Sequence, residues 1–200
     1  DIGVETLGVS AGNFSANIDT GGLVLDSCAR DSLSPVFVHQ QTIGGNPHAI
    51  IRIVDGDTSQ TMWQVDIGAI DLEVKSTPII FDADGDGTLE IIVVYDANGQ
   101  ATVELWSPNI ECDVTGWKPG GSHETERLWR WSHATFEMAA DRACQTCHRP
   151  VAQPLLADLF LDGSPELVLA MMDDINDEPN VVALPLPTTG TPSTIWEVTM

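Results

Sequence analysis

Basic residues are scarce in this chain: 8 lysines and arginines stand against 30 aspartates and glutamates, a formal net charge of −22 over 200 residues. The only lysines are Lys75 and Lys118. So strong a negative field repels nucleic-acid phosphates and anionic lipid surfaces, which argues against both as partners, and it favours divalent cations. It also suits a surface kept soluble where salt screens charge. Long hydrophobic runs are missing as well. No stretch of 18 apolar residues occurs, so no membrane insertion is expected. No pattern reads as a convincing long helix. What is present is 42% apolar content, enough to bury a core.

Only four cysteines occur, Cys28, Cys112, Cys144 and Cys147. In an oxidising compartment they allow three disulfide connectivities. The chain opens at Asp1 with no signal-peptide pattern, which leads us to expect a mature product or an excised piece. Asn13-Phe14-Ser15 offers a short glycosylation acceptor.

The chain repeats itself. Three segments open on a small or polar residue, a proline and an apolar run: Ser34-Pro35-Val36-Phe37-Val38, Thr77-Pro78-Ile79-Ile80-Phe81 and Gln153-Pro154-Leu155-Leu156-Ala157. Each closes on a strand-like tryptophan segment, at Trp63, Trp129 and Trp196, a spacing of 66 and then 67 residues. Between these marks, Leu89–Tyr95 is β-branched and reads as a buried strand, and Ala101–Trp106 alternates apolar and polar. Asp96-Ala97-Asn98-Gly99 supplies the turn between them. The last unit copies this with Glu166–Met171 and Val181–Leu186, and the first ends in the turn Asp55-Gly56-Asp57-Thr58 before Trp63.

Short strands with a proline at the first one predict an all-β chain of about three four-stranded antiparallel propeller blades. Closed propellers generally need four to eight blades, which implies part of a longer chain or an assembly. The expected boundaries are a partial N-terminal blade or linker at 1–30, a blade at 31–70, and a second at 71–133 with an insert at 107–126. A further insert follows at 134–152, and a last blade at 153–200. The tryptophans are expected to pack blades, with Trp106 and Trp117 outside the shared closing position.

The run Asp82-Ala83-Asp84-Gly85-Asp86-Gly87-Thr88-Leu89-Glu90 places carboxylates at positions one, three, five and nine. Calcium takes six to eight oxygen ligands, and alternating aspartates in a glycine-relaxed turn direct them inward. Asp82, Asp84, Asp86, Thr88 (through its carbonyl) and Glu90 are the predicted ligands. An EF-hand is excluded, because position twelve is Val93 and a strand follows rather than a helix. The stretch Thr77–Glu90 instead resembles the calcium loops of FG-GAP or VCBS-type repeats. That resemblance implies a β-propeller with calcium between the first two strands of a blade, and a role in adhesion or extracellular binding. Asp158, Asp162, Ser164 and Glu166 fall on the matching positions of the last unit, where Phe160 replaces Asp84, so a weaker calcium site is expected there. In the first unit the matching positions are His39, Gln41 and Ile43, and no site is expected.

Cys144-Gln145-Thr146-Cys147-His148 matches the c-type haem attachment pattern, in which two thiols bind the haem vinyls and the histidine ligates iron. His133, Met138 or His123 could supply a second axial ligand. Two other readings stay open: a Cys144–Cys147 disulfide, and a zinc site using Cys144, Cys147, His148 and a fourth ligand.

No nucleophile elbow, phosphate loop or zinc-protease helix occurs, and whether the chain is an enzyme is left open. The function these patterns imply is a non-enzymatic, calcium-stabilised propeller segment, extracellular or at the cell surface. Its expected partners are a protein or glycan there, or neighbouring subunits. The alternative is an extracellular electron-transfer protein with one covalent haem c.

Overall fold

The structure, a computed structural model, describes residues 6–12, 34–55, 58–69, 77–83, 89–97, 100–108, 110, 112–113, 116–117, 125–133, 148–150, 153–173, 178–187 and 190–200. Every regular element among them is a strand. The first sheet pairs β1 (Thr6–Gly12), β2 (Ser34–Ile43), β3 (Asn46–Val54) and β4 (Thr61–Ala69) in that order. The second runs β5 (Ile79–Phe81), β6 (Glu90–Ala97), β7 (Gln100–Pro108), then β10 (Thr125–Ser132). Between its last two strands, β8 (Cys112–Asp113) and β9 (Gly116–Trp117) pair only with each other. In the third sheet β13 (Glu166–Asp173), β14 (Glu178–Pro185) and β15 (Trp196–Thr199) lie side by side. Two short strands share its other edge, β12 (Leu155–Ala157) and β11 (His148–Pro150). All pairings among the described residues are antiparallel, and these residues form the expected all-β arrangement of three propeller-like, four-deep sheets.

Local chemistry explains the turns. β2 and β3 are joined by Gly44-Gly45, at φ +62 and +89, where the tight primed hairpin turn needs left-handed backbone. Asp55 closes the turn into β4 by accepting the Thr58 amide on Oδ1 at 2.8 Å.

One alignment within the repeat changes. Pro78 and Pro154 stand just before the short edge strands β5 and β12, but Pro35 lies in β2, the second strand of its sheet. The stretch from Pro35 to Trp63 is short because it crosses three strands rather than four. His39, Gln41 and Ile43 therefore lie along β2 and are not the counterparts of the acidic loop. That counterpart runs from β1 to β2, through residues 13–33, outside the described residues.

The sheets stack face to face. The run β6 is apolar on both sides because both sides are covered: Ile91, Val93 and Tyr95 join Val36, Val38, Ile51, Ile53 and Trp63 in a core against the first sheet. Ile92 and Val94 turn the other way and join Trp129, Trp131, Leu167, Leu169 and Val182 in a core against the third. Every one of these side chains is buried, and Trp63 is fully so. Truncating a tryptophan so placed costs about 3–5 kcal/mol. Trp106, outside the repeating position, is also buried between the first two sheets.

A bulge precedes the closing tryptophan in both sheets. Met62 is the extra residue between Thr61 and Trp63, and Leu128 the extra one between Arg127 and Trp129. In the third sheet, the Ile195 amide bonds the carbonyl of Ala183, the residue that also faces Trp196. The extra residue reverses the side-chain alternation, which sets Trp63 on the face turned to the second sheet and Trp129 on the face turned to the third.

Candidate metal centre

The two acidic loops are closed in the same way. Glu90 leads into β6 and reaches back seven residues, where its Oε2 accepts the Ala83 amide at 2.7 Å. Glu166 leads into β13, and its Oε2 accepts the Leu159 amide at 2.8 Å. Both glutamates are buried. The shared bond makes the ninth residue of each loop a clamp on the second, so the loop mouth is held by a charge-assisted hydrogen bond.

The third-sheet loop is described throughout. Asp158 accepts the Asp162 amide on Oδ1 (3.1 Å) and the Gly163 amide on Oδ2 (2.9 Å). Asp162 Oδ1 in turn accepts the Ser164 amide at 2.9 Å. Gly163, at φ +90, adopts backbone that a side chain would oppose. Three of the four predicted ligands thus bind the loop's own backbone as a hydrogen-bonded turn. Where Phe160 replaces an aspartate, the tip is apolar: Leu159, Phe160 and Leu161 are all exposed. In the second-sheet loop, Asp82 and Glu90 are described, and Asp84, Asp86 and Thr88 lie outside the described residues. Among the described residues, no group of three or more histidine, cysteine, aspartate and glutamate side chains is placed to hold a metal ion.

The two loops stand beside one another. A half-open cleft of about 510 Å³ is lined by Asp82 and Ala83 from one, Gly163–Glu166 from the other, and Pro185–Pro187 beyond β14. Trp129 braces its wall by donating Nε1–H to the Pro187 carbonyl at 2.7 Å. On the same pair of sheets, Gln153 spans to Thr77: the Thr77 amide donates to Oε1 (2.8 Å), and Nε2 donates to the Thr77 carbonyl (3.1 Å). These residues are equivalent in the repeat, each preceding an opening proline.

Of the haem-like motif, His148 alone is described: it begins β11, opposite Asp173 on β13. Cys144, Cys147 and Met138 lie outside the described residues, as does His123. His133 is buried and its Nε2 lies 3.2 Å from Glu197 Oε1 on β15. Asn180 Nδ2 donates to that same oxygen, and the edge of the His133 ring meets Trp131. The imidazole offered as an axial ligand is thus engaged in joining the second sheet to the third.

One polar site was hidden from sequence reasoning. Glu104 reads as a solvent-facing residue of an alternating strand, yet it is buried. Trp106 Nε1 and Arg127 each donate to it at 3.1 Å, and Arg130 Nε is 3.8 Å away. Arg127 also lies over the Trp106 ring, 5.9 Å from its centroid. Burial first, and the neighbouring Glu104 charge second, push the Tyr95 phenol above its ordinary pKa.

No protein-family model matches this chain, and no curated protein or solved structure is significantly similar to it.

Proposed function

We propose that this chain is a non-enzymatic, calcium-stabilised β-propeller segment of the FG-GAP or VCBS type. In this reading it belongs to a secreted or cell-surface protein and presents loops for binding a protein or glycan, or for assembly. The observation that carries the reading is the paired clamp, Glu90 on Ala83 and Glu166 on Leu159, at equivalent places in successive sheets. It supports a loop mouth in which the carboxylates of Asp82, Asp84, Asp86 and Glu90 are confined to nine residues, and confined like charges favour a divalent cation. The metal's role is then structural: it neutralises the acids and stiffens the turn between strands. In the third sheet Phe160 stands where the second-sheet loop has Asp84, so one carboxylate is lost and that loop is the weaker site.

Thermal melts of metal-free protein test this. Added calcium should raise Tm, a chelator should reverse the gain, and Asp84→Asn with Asp86→Asn should abolish it. No shift, together with no metal in elemental analysis, would overturn the reading.

A second reading is an extracellular electron-transfer protein with one covalent haem c at Cys144, Cys147 and His148. The anchoring of His148 by backbone pairing at a sheet edge favours it, since an iron ligand needs a fixed backbone. Protein made in a haem-maturing host should then show a Soret band. Its absence removes this reading and leaves a disulfide or zinc site.

A further inference from the structure

The cleft between the two acidic loops holds a buried carboxylate that the protein leaves half used. Glu166 is 4% exposed and lines the cleft of about 510 Å³. Its Oε2 accepts the Leu159 amide, and its Oε1 accepts no hydrogen bond among the described residues. Oε1 is not sealed in the interior either, so it opens to the cleft. No cationic side chain among the described residues pairs with Glu166. Buried charges are as a rule paired, and the similarly buried Glu104 is met by both Arg127 and Trp106. Across the cleft stands a second, half-buried acid, Asp82. The wall beside them is apolar, built of Pro185, Leu186 and Pro187 and braced by the Trp129 indole.

We propose that this cleft binds a primary alkylammonium group, of the kind a lysine side chain or a free alkylamine carries. An unpaired buried carboxylate, with another facing it, calls for a cation. The proline-rich wall calls for an apolar stem on that cation, and a hydrated metal ion gains nothing from such a wall. The choice between ammonium and guanidinium follows from the clamp. With Oε2 committed to the Leu159 amide, Glu166 offers a single oxygen. A planar guanidinium fork is matched to both oxygens of one carboxylate, whereas an ammonium is a compact charge whose three donors can each take a different partner. The cleft's volume falls in the range of small-ligand sites, about 300–1,000 Å³, and admits a four-carbon stem. The site does not depend on calcium in the second-sheet loop, since Glu166 and the proline wall both belong to the third sheet.

NMR of isotope-labelled protein, titrated with n-butylamine hydrochloride at neutral pH and fixed ionic strength, tests this. The expected result is saturable shifts confined to the amides of Gly163, Ser164 and Glu166 and the Trp129 indole N–H, with a Kd on the order of 10 mM for so small a ligand. Uncharged n-butanol should leave these signals in place, and n-butylguanidinium should bind at least about threefold more weakly. Glu166→Gln keeps an acceptor for the Leu159 amide and should weaken butylammonium binding at least about tenfold. If that variant fails to fold, Ser164→Lys, at an exposed place on the rim, sets a tethered ammonium in the cleft and should abolish the shifts. N-acetyl-lysine methylamide binding more tightly than putrescine assigns the site to a protein's lysine, and the reverse order to a free amine. Shifts spread over the whole acidic surface, equal shifts with n-butanol, tighter binding of the guanidinium, or binding undiminished in a folded variant each overturn the proposal. Displacement of butylammonium by excess calcium overturns it too, because the cleft is then a metal site. Failure of calcium to raise Tm, by contrast, overturns only the calcium reading and leaves the ammonium site standing.

Discussion

Gln153 grips Thr77 by both ends of its side-chain amide, copying the hydrogen bonds of a strand pair across the gap between the second and third sheets. The two positions are equivalent in successive units, so the contact registers one blade against the next at its opening strand. The bonds are exposed, which limits their worth. Gln153→Ala should destabilise by about 1–2 kcal/mol, seen as a lower urea midpoint with unchanged slope. The sharper readout is hydrogen exchange at the Thr77 amide, which should quicken well before the amides of β6 do.

Tyr95 is the only tyrosine in the chain, so its titration can be followed by phenolate absorbance without ambiguity. Its pKa is raised in the folded state, by burial and then by the Glu104 charge. In the unfolded chain the phenol ionises near pH 10. Stability from the neutral phenol is therefore complete below that pH and is lost as pH rises from there toward the folded value, by up to about 1.4 kcal/mol per pH unit. Folded protein at pH 10.5 should show little phenolate band, the band should arrive with unfolding, and Tyr95→Phe should flatten this alkaline loss. A half-developed phenolate band from folded protein at about pH 10, as an ordinary phenol gives, would contradict the assignment.

Much of the fold was legible because it is periodic. A β-branched run such as Leu89–Tyr95 is what a strand covered on both faces requires, and the spacing of Trp63, Trp129 and Trp196 marks one position of a repeated sheet. What could not be read was anything that turns on a single inserted residue. Arg127 and Arg130, three apart, belong on opposite faces of a regular strand. The bulge at Leu128 brings both beside Glu104. The first unit failed for a similar reason, since a proline early in β2 resembles one that precedes a first strand. In the acidic loops the spacing pointed to the carboxylates, but it could not show that Asp158, Asp162 and Glu166 would each accept a backbone amide.

Leu161 sits at the tip of the third-sheet loop with φ at +57 and 89% of its surface exposed. A side chain in left-handed backbone costs roughly 1–2 kcal/mol, and so exposed a leucine returns little through burial. Asn tolerates this conformation, so Leu161→Asn should stabilise the protein by about 0.5–1 kcal/mol in urea denaturation. A loss of stability instead would mean that the leucine makes a contact that holds the strain.

The Glu104 cluster is unequal at its two ends: the glutamate side chain is 1% exposed, and Arg127 and Arg130 are 46% and 44%. A guanidinium released from the pair can turn into water, whereas the carboxylate has no such exit. Glu104→Gln keeps an acceptor for Trp106 Nε1 and frees the arginines to hydrate, so it should cost only about 1–2 kcal/mol. Replacing both arginines by alanine leaves a buried carboxylate whose charge is uncompensated, and should cost about 3–5 kcal/mol. Urea denaturation of the two variants gives the order directly. If Glu104→Gln proves the costlier, the cluster is held by the arginines' packing over Trp106 and the sheet edge, and the carboxylate serves mainly to orient them.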